Sequence, residues 1–192
     1  TSTSSGPVTA GQALKNEMAA KYGIKALDGT ANWSEGQVKA AMEAFSKLPE
    51  GFRKCTTEVK RDKTCPYAPA GAGVLGYVQS NLPNRVHLMD LAARGSSVAA
   101  AVSQFQGTLV HEMTHCFQNN NPNIAQAFYR QFWNSSNPPP KSNSVSGYGN
   151  TAPWEDFSES VRQYFQNGSA MKRTNAARYE FVRKYVMSGK EY

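Results

Sequence analysis

The sequence has no long apolar run, and it is poor in histidine, cysteine and acidic residues. Its 192 residues include 3 His, 3 Cys and 14 Asp or Glu, against 21 Lys or Arg. No apolar stretch approaches the roughly 20 residues of a membrane-spanning helix, so we expect no membrane span. With 40% hydrophobic and 18% charged residues, the composition is typical of a folded domain and not of a disordered chain.

The net charge of +7 would suit a nucleic-acid partner if the basic residues were clustered. They are scattered instead, and the chain carries no RNA-binding signature and no DNA-binding zinc finger. We therefore expect no nucleic-acid partner. A positive surface also favours acidic partners and cell surfaces. We expect a monomer whose partner is a protein or peptide substrate.

The three cysteines bear on the compartment. Cys55 and Cys65 flank a short polar segment, CTTEVKRDKTC, and are predicted to close it as a disulfide, leaving Cys116 alone. The alternative is three reduced thiols. A disulfide favours export to an oxidising compartment. The opening TSTSSGPVTAG has no initiator Met and no signal-peptide pattern, so we expect it to be a mature N-terminus or the end of a fragment.

The spacing of apolar residues gives a coarse plan of the chain. Two runs, GVLGYV and RVHLMDL, are typical of strands joined by an Asn/Pro turn, and residues 134–152 form a long irregular loop. The last helix is predicted to keep its basic residues on an exposed face. Helices are predicted over about residues 7–22, 32–49, 97–118, 124–133, 153–165 and 169–187.

The segment TLVHEMTHCF contains two of the three histidines, four positions apart. On a helix, residues four apart differ by only about 40° in direction, so His111 and His115 can bind one ion. Glu112 lies about 100° round the helix, near such an ion without binding it. This is the H-E-x-x-H arrangement of zinc peptidases, in which the Glu acts as general base.

A hydrolytic zinc site needs a third protein ligand. Gln118 and Asn121 occupy the positions where the extended metzincin motif requires Gly and His, which excludes that class. No His, Asp or Glu occurs between Cys116 and Trp154. Glu155 is the first candidate downstream, and Glu159 lies one turn further on the same helix face. The remaining histidine, His87, is expected to be an ordinary strand residue.

Together, HEMTH and the later GYGNTAPWEDFSES resemble the gluzincins, most closely the group of the anthrax lethal factor catalytic domain and the secreted Pro-Pro endopeptidases. That group has a Tyr-Gly in the loop and an E-x-F-[AS]-E helix. The resemblance implies that Glu155 is the third zinc ligand and that Tyr148 stabilises the oxyanion. It also implies that Glu159 orients a ligand histidine. Asp156 lies about 100° from Glu155 round the helix, so we expect it to point away from the site.

These observations predict an α+β, zincin-like domain over residues 1–192. The upper lobe, about 1–120, holds a small mixed sheet and the histidine helix, and the helical lower lobe, about 121–192, brings Glu155 to the metal. One Zn²⁺ per chain is expected. An extended substrate would add to an exposed edge strand, predicted to include Gly73, Val74, Leu75, Gly76 and Tyr77.

The predicted function is a zinc endopeptidase that is secreted or delivered as a toxin or effector. One alternative is a zinc amidase or endopeptidase acting on peptidoglycan or another non-protein amide. The other is a non-catalytic binding module of zincin shape. The intact Glu112 argues against the binding module, because a binder has no use for a general base.

Overall fold

The computed structural model describes residues 9–133 and 143–192. The predicted loop is described only from residue 143; its earlier part, 134–142, lies outside the described residues. Two short 3₁₀ turns cover Asp90–Ala93 and Gly149–Thr151. The α-helices are α1 (Ala10–Tyr22), α2 (Glu35–Lys47), α3 (Glu50–Arg53), α4 (Val98–Asn120), α5 (Pro122–Trp133), α6 (Pro153–Thr174) and α7 (Ala176–Tyr185), and the strands are β1 (Lys25–Asp28), β2 (Glu58–Asp62), β3 (Gly76–Val78) and β4 (Arg85–Met89).

The chain is a mixed α and β structure with one small sheet in its described part. The strand order is β1-β2-β4-β3, in which the first three strands are parallel and β3 runs antiparallel to β4. The predicted small mixed sheet is therefore confirmed. Among the described residues β3 pairs with β4 alone, which leaves its other edge available to an extended chain. None of the described helices is long and apolar enough to cross a membrane.

Local sequence signals explain where the main helices start. Ser34 and Gln37 form the capping box of α2, each side chain bonding the other's backbone N–H. The hydroxyl of Ser97 accepts from the Ala100 N–H at the start of α4. Pro153 occupies the first turn of α6, where its missing N–H costs nothing. These signals fix the starts of the two helices that carry the predicted site.

The last predicted helix, 169–187, is wrong in its boundaries. α6 continues past the predicted break with a kink at Asn167, whose φ of −156° and ψ of 59° are not helical. The chain breaks instead at Asn175, which has a similar conformation. An asparagine can satisfy the local backbone with its own side chain and thereby interrupt a helix. Here the Asn167 side chain accepts from the Ala170 N–H.

One cluster of buried apolar residues joins the sheet, α4 and the C-terminal helices. Its C-terminal part is aromatic: Phe128 stacks on Phe157 at 4.5 Å between ring centroids, and Phe181 packs edge-on against both. Such offset and edge contacts add to the free energy gained by burial. The core thus includes residues from both sides of residue 120, while the division into two lobes stays a prediction.

Asp156 and Arg178 form an ion pair inside this C-terminal region. Asp156 is fully buried, its Oδ2 lies 2.7 Å from Arg178 Nη2, and the indole N–H of Trp133 donates to it at 2.8 Å. The expectation that Arg178 lies on an exposed basic face is therefore wrong. Asp156 does point away from the histidines, but into the core and not towards water.

The predicted disulfide between Cys55 and Cys65 is also wrong, because all three cysteines are free. The segment between them contains β2, a full strand inside the sheet. That strand extends roughly 13 Å between its end residues and separates the two cysteines, whereas a disulfide needs Cα atoms within about 7 Å. Cys116 is buried, and this burial raises the pKa of its thiol to about 12.

Replacing Asp156 by Ala should destabilise the protein by about 3–5 kcal/mol, because it leaves the buried guanidinium of Arg178 without its partner. Urea unfolding measures the change. Glu180→Ala is the matched control, since it removes the acidic partner of an exposed pair with Arg183 and should change stability little. Equal effects of the two substitutions would contradict a special role for the buried pair.

Candidate metal centre and cleft

Helices α4 and α6 pack side by side and run in opposite directions. Three side-chain contacts join them in order: Arg162 to Gln104 at 3.3 Å, Glu159 to His111 at 2.8 Å and Ser158 to Gln118 at 3.1 Å. As the residue number rises along α4, it falls along α6. This register brings the first turn of α6, with Glu155, opposite the two histidines of α4.

His111, His115 and Glu155 form a group that could bind a metal ion. Glu155 Oε2 lies 3.0 Å from His111 Nε2 and 3.4 Å from His115 Nε2, and the two Nε2 atoms are 3.2 Å apart. Ligand atoms bound tetrahedrally at about 2.0–2.1 Å, as in zinc sites, lie about 3.3 Å apart. The observed triangle therefore fits a small ion of this kind, and two imidazoles disfavour Mg²⁺ or Ca²⁺.

The short distances within the group shift the pKa values of its members. Burial opposes the charged form of Glu155, but hydrogen bonds and charges from both histidines outweigh it and hold its pKa below the ordinary value. Burial also disfavours charge on His111, yet its hydrogen bonds to Glu155 and Glu159 raise its pKa to about 9. The carboxylates thus hold positive charge at this position.

Glu112 lies beside the group and is buried, and this burial raises its pKa. Its side chain lies against β3 at Gly76. A Cβ added to Gly76 would lie 2.7 Å from Glu112 Cγ and 2.9 Å from Oε1, which is closer than real contacts allow. The strand can approach the carboxylate because residue 76 has no side chain. A buried carboxyl group of raised pKa suits proton transfer near neutral pH.

Side chains of α6 contact the Nδ1 atom of each histidine. Glu159 Oε1 accepts from His111 Nδ1, so the ring presents Nε2 towards Glu155, the side on which an ion would bind. This is the position that the resemblance implies for Glu159. His115 Nδ1 lies 3.3 Å from the Ser158 hydroxyl. That hydroxyl also accepts from Gln118 Nε2, and the Gln118 side-chain carbonyl accepts from the Tyr129 hydroxyl at 2.5 Å.

The chain of contacts that runs from His115 to Ser158, then to Gln118 and Tyr129, is absent from the sequence-based prediction. In the sequence, Gln118 was informative only because it is not the glycine of the metzincin motif. The spacing along α4 places Gln118 one turn after His115, and Ser158 lies one turn after Glu155. The relative register of the two helices, which the sequence does not give, is what brings these side chains together.

Tyr148 lies at the entrance to the site, in the loop that precedes α6. Its ring centroid is 5.9 Å from that of His111, and 56% of the residue is exposed. Partial burial, with the charge of Glu155 and a hydrogen bond to it, raises the Tyr148 pKa to about 12. The phenol therefore stays protonated at neutral pH and can donate a hydrogen bond.

Two clefts extend from the metal group along the free edge of the sheet. They share Gly76, His111, Glu112 and Tyr148. The Trp154 cleft, about 470 Å³, is further lined by Tyr77–Ser80, His115, Gln118, Asn119, Tyr129, Trp154 and Glu155. The Arg162 cleft, about 350 Å³, is further lined by Ala72–Leu75, Thr108, Glu159 and Arg162. Together they make a groove open on both sides of Glu112.

The predicted edge strand is shorter than expected. Gly76 and Tyr77 belong to β3, but Gly73, Val74 and Leu75 precede it. Gly73 has a φ of +71°, a left-handed conformation that interrupts extended structure. Leu75 still continues the pairing by one step, since its carbonyl accepts from the Met89 N–H. Gly73–Leu75 therefore line the Arg162 cleft as loop residues.

His87 is not part of the metal group. It lies in β4, buried, with Nδ1 3.1 Å from Asp62 Oδ2 and its ring stacked on Tyr77 at 4.4 Å between centroids. The expectation of an ordinary strand histidine agrees with this position.

A scan against protein-family models finds no match to the chain, and a search of curated proteins finds no similar sequence. These comparisons show no family for the chain.

Ser158→Ala should lower zinc affinity by about 10- to 100-fold, the usual loss when a ligand histidine loses its supporting hydrogen bond. Competition with a chromophoric chelator measures this. Ser160→Ala is the matched control. Ser160 is buried on the same helix, but its hydroxyl lies 3.4 Å from Asp156 Oδ1, on the side of α6 away from the histidines. If the two variants bind zinc equally tightly, the Ser158 hydroxyl does not support His115.

Proposed function

We propose that this chain is a zinc-dependent endopeptidase of the gluzincin type, with a zincin-like fold. The observation that carries the proposal is the triangle of His111 Nε2, His115 Nε2 and Glu155 Oε2, with Glu112 buried beside it under a free strand edge. Two imidazoles and one carboxylate are the ligand set of catalytic zinc in several peptidases. An ion held there would supply Lewis acidity towards water and towards the carbonyl oxygen of the substrate.

The side chains around the ion position have separate roles in the proposed reaction. Glu112 takes a proton from the attacking water and returns it to the leaving amine, a role that suits its raised pKa. The Tyr148 hydroxyl donates a hydrogen bond to the oxyanion that develops on the carbonyl oxygen. Glu159 and Ser158 hold the two histidines in place. Tyr148 must turn from its hydrogen bond with Glu155 to serve the substrate.

The shape of the groove favours a protein or peptide substrate over a cross-linked non-protein amide. The Trp154 and Arg162 clefts continue in line on both sides of Glu112 and follow β3. An extended peptide can add to this edge with backbone hydrogen bonds. A binding module would need such a groove, but it would not need a buried Glu112 against the strand.

Secretion and a monomeric state remain part of the proposal. The predicted disulfide, which had favoured secretion, is absent from the structure.

Zinc-loaded protein should cleave peptides and lose this activity when the metal is removed by a chelator. Glu155→Ala should release zinc, because it removes one of three ligands. Glu112→Gln should keep zinc and lose about 10²- to 10⁴-fold in turnover, the usual contribution of a general base. Zinc content and cleavage of a quenched peptide library report the two effects.

Glu17→Gln, at an exposed site on α1, is the control for the loss of one carboxylate. It should leave both zinc content and turnover unchanged. Zinc-loaded wild-type protein that cleaves no peptide would refute the endopeptidase, and purified peptidoglycan would then test the amidase alternative. An active Glu112→Gln variant would refute the role of the base.

Tyr148→Phe should keep zinc fully bound and reduce turnover about a hundredfold or more, as for other donors to an oxyanion. The loss should appear in kcat and not in the affinity for a substrate-like inhibitor. Tyr185→Phe, at an exposed tyrosine outside both clefts, should behave as wild type. Full activity of Tyr148→Phe would remove this residue from the mechanism.

A further inference from the structure

The Arg162 cleft contains a buried hydroxyl that no described residue satisfies. Thr108 lies on α4, one turn before His111 and Glu112, and it lines this cleft. The residue is 2% exposed, and among the described residues its Oγ1 has no hydrogen-bond partner. Leaving a buried polar group unpaired costs about 1–3 kcal/mol. Because Oγ1 itself is buried, a molecule in the cleft reaches it only after a rotation of the Thr108 side chain about χ1, and would then supply the missing partner.

Arg162 places a cation in the same cleft. It lies on α6, one turn after Glu159, and its Nη2 donates to Gln104 Oε1 at 3.3 Å. Because Glu159 faces His111 and the helices are antiparallel, Arg162 starts at the level of Thr108, and its guanidinium extends to Gln104, one turn before Thr108 on α4. Its Nε donates to Gln166, and its Nη1 faces Glu159 at a longer 3.6 Å. A guanidinium has five N–H groups, so donors remain for a ligand.

We propose that Thr108 and Arg162 form a subsite for a carboxylate group of the substrate, next to the cleaved bond. The subsite deepens the endopeptidase function proposed above and rests on it. Both side chains offer donors, and a carboxylate accepts from a hydroxyl and a guanidinium together. One of the two acidic residues of the cleft is already engaged: Glu159 bonds His111 at 2.8 Å and lies 3.6 Å from Arg162.

The direction of the substrate places this carboxylate on the C-terminal side of the cleaved bond. Antiparallel pairing is the more stable arrangement of two strands. A peptide antiparallel to β3 enters along the Trp154 cleft and leaves over the Arg162 cleft, because β3 runs from Gly76 to Val78. The net charge of +7 also favours the approach of acidic peptides.

Two groups could supply the carboxylate. One is an Asp or Glu side chain just after the cleaved bond, and the other is the free C-terminus of a peptide that ends in the cleft. Both present the same acceptor atoms to Thr108 and Arg162. They differ in outcome, since the first gives cleavage within long chains and the second releases short C-terminal fragments.

The test is cleavage-site profiling of zinc-loaded protein with a peptide library, prepared both as free acids and as C-terminal amides. We expect Asp or Glu to be preferred over Asn or Gln after the cleaved bond, or free acids over amides, by about tenfold or more. Thr108→Val and Arg162→Gln should each reduce that preference several-fold. Arg173→Gln, which removes an exposed positive charge outside the clefts, should retain it.

Thr108→Val also separates binding from folding. It removes a hydroxyl without a described partner, so its Tm should equal or exceed that of the wild type, while the preference falls. Cleavage with neither preference, or with a preference that both variants retain, would overturn the subsite and leave the endopeptidase standing.

A second probe does not depend on turnover. NMR shifts of zinc-loaded protein titrated with N-acetylglutamate α-amide and with the matching glutamine compound should show the first binding more tightly, with changes at Thr108. If no library peptide is cleaved, the proposed function fails, and this titration alone decides the subsite. Equal binding of the two compounds would refute it.

Discussion

The antiparallel packing of α4 against α6 is the constraint on which the rest of the site depends. Neither helix alone has a metal site: α4 carries two imidazoles, and α6 carries the carboxylate. Their register is fixed by contacts along the whole length of the pair, from Gln104 and Arg162 at one end to Gln118 and Ser158 at the other. A shift of one residue in either helix would rotate every one of these groups away by about 100°.

The first turn of α6 is held from the opposite side as well. Glu155 faces the histidines, while its neighbour Asp156 is bound inside the core by Arg178 and Trp133. The aromatic cluster of Phe128, Phe157 and Phe181 packs beneath the same turn. The carboxylate of Glu155 is therefore positioned by a neighbour, Asp156, that lies outside the group of His111, His115 and Glu155. Rigid support of this kind is what keeps a catalytic carboxylate in one conformation.

The parts of the site that the sequence predicted are those that depend on local periodicity or on composition. The facing of His111 and His115 follows from helix geometry alone. Glu155 is the first candidate ligand after them, because no acidic residue or histidine lies between Cys116 and Trp154, and the resemblance to the gluzincins implies its role. The capping box of α2 and the small mixed sheet were also predicted from local sequence patterns. By contrast, the burial of Arg178 depends on where α7 packs, and no periodicity in a basic helix shows which arginine faces inward.

The wrong and missing predictions also concern contacts between distant parts of the chain. The disulfide was inferred from two cysteines ten positions apart, but the segment between them includes a strand that separates them. The supports of His115 were missed because Ser158 and Gln118 meet only through the register of α4 and α6. The expected edge strand was too long because Gly73 adopts a left-handed conformation that an apolar pattern does not reveal.

The shortness of β3 has a consequence for self-association. A free strand edge is a template on which other chains, including unfolded copies of the same protein, can add and aggregate. Here the regular part of that edge is three residues long, and Gly73 turns the chain away just before it. An edge of this length offers too few backbone groups in line to start an extended intermolecular sheet.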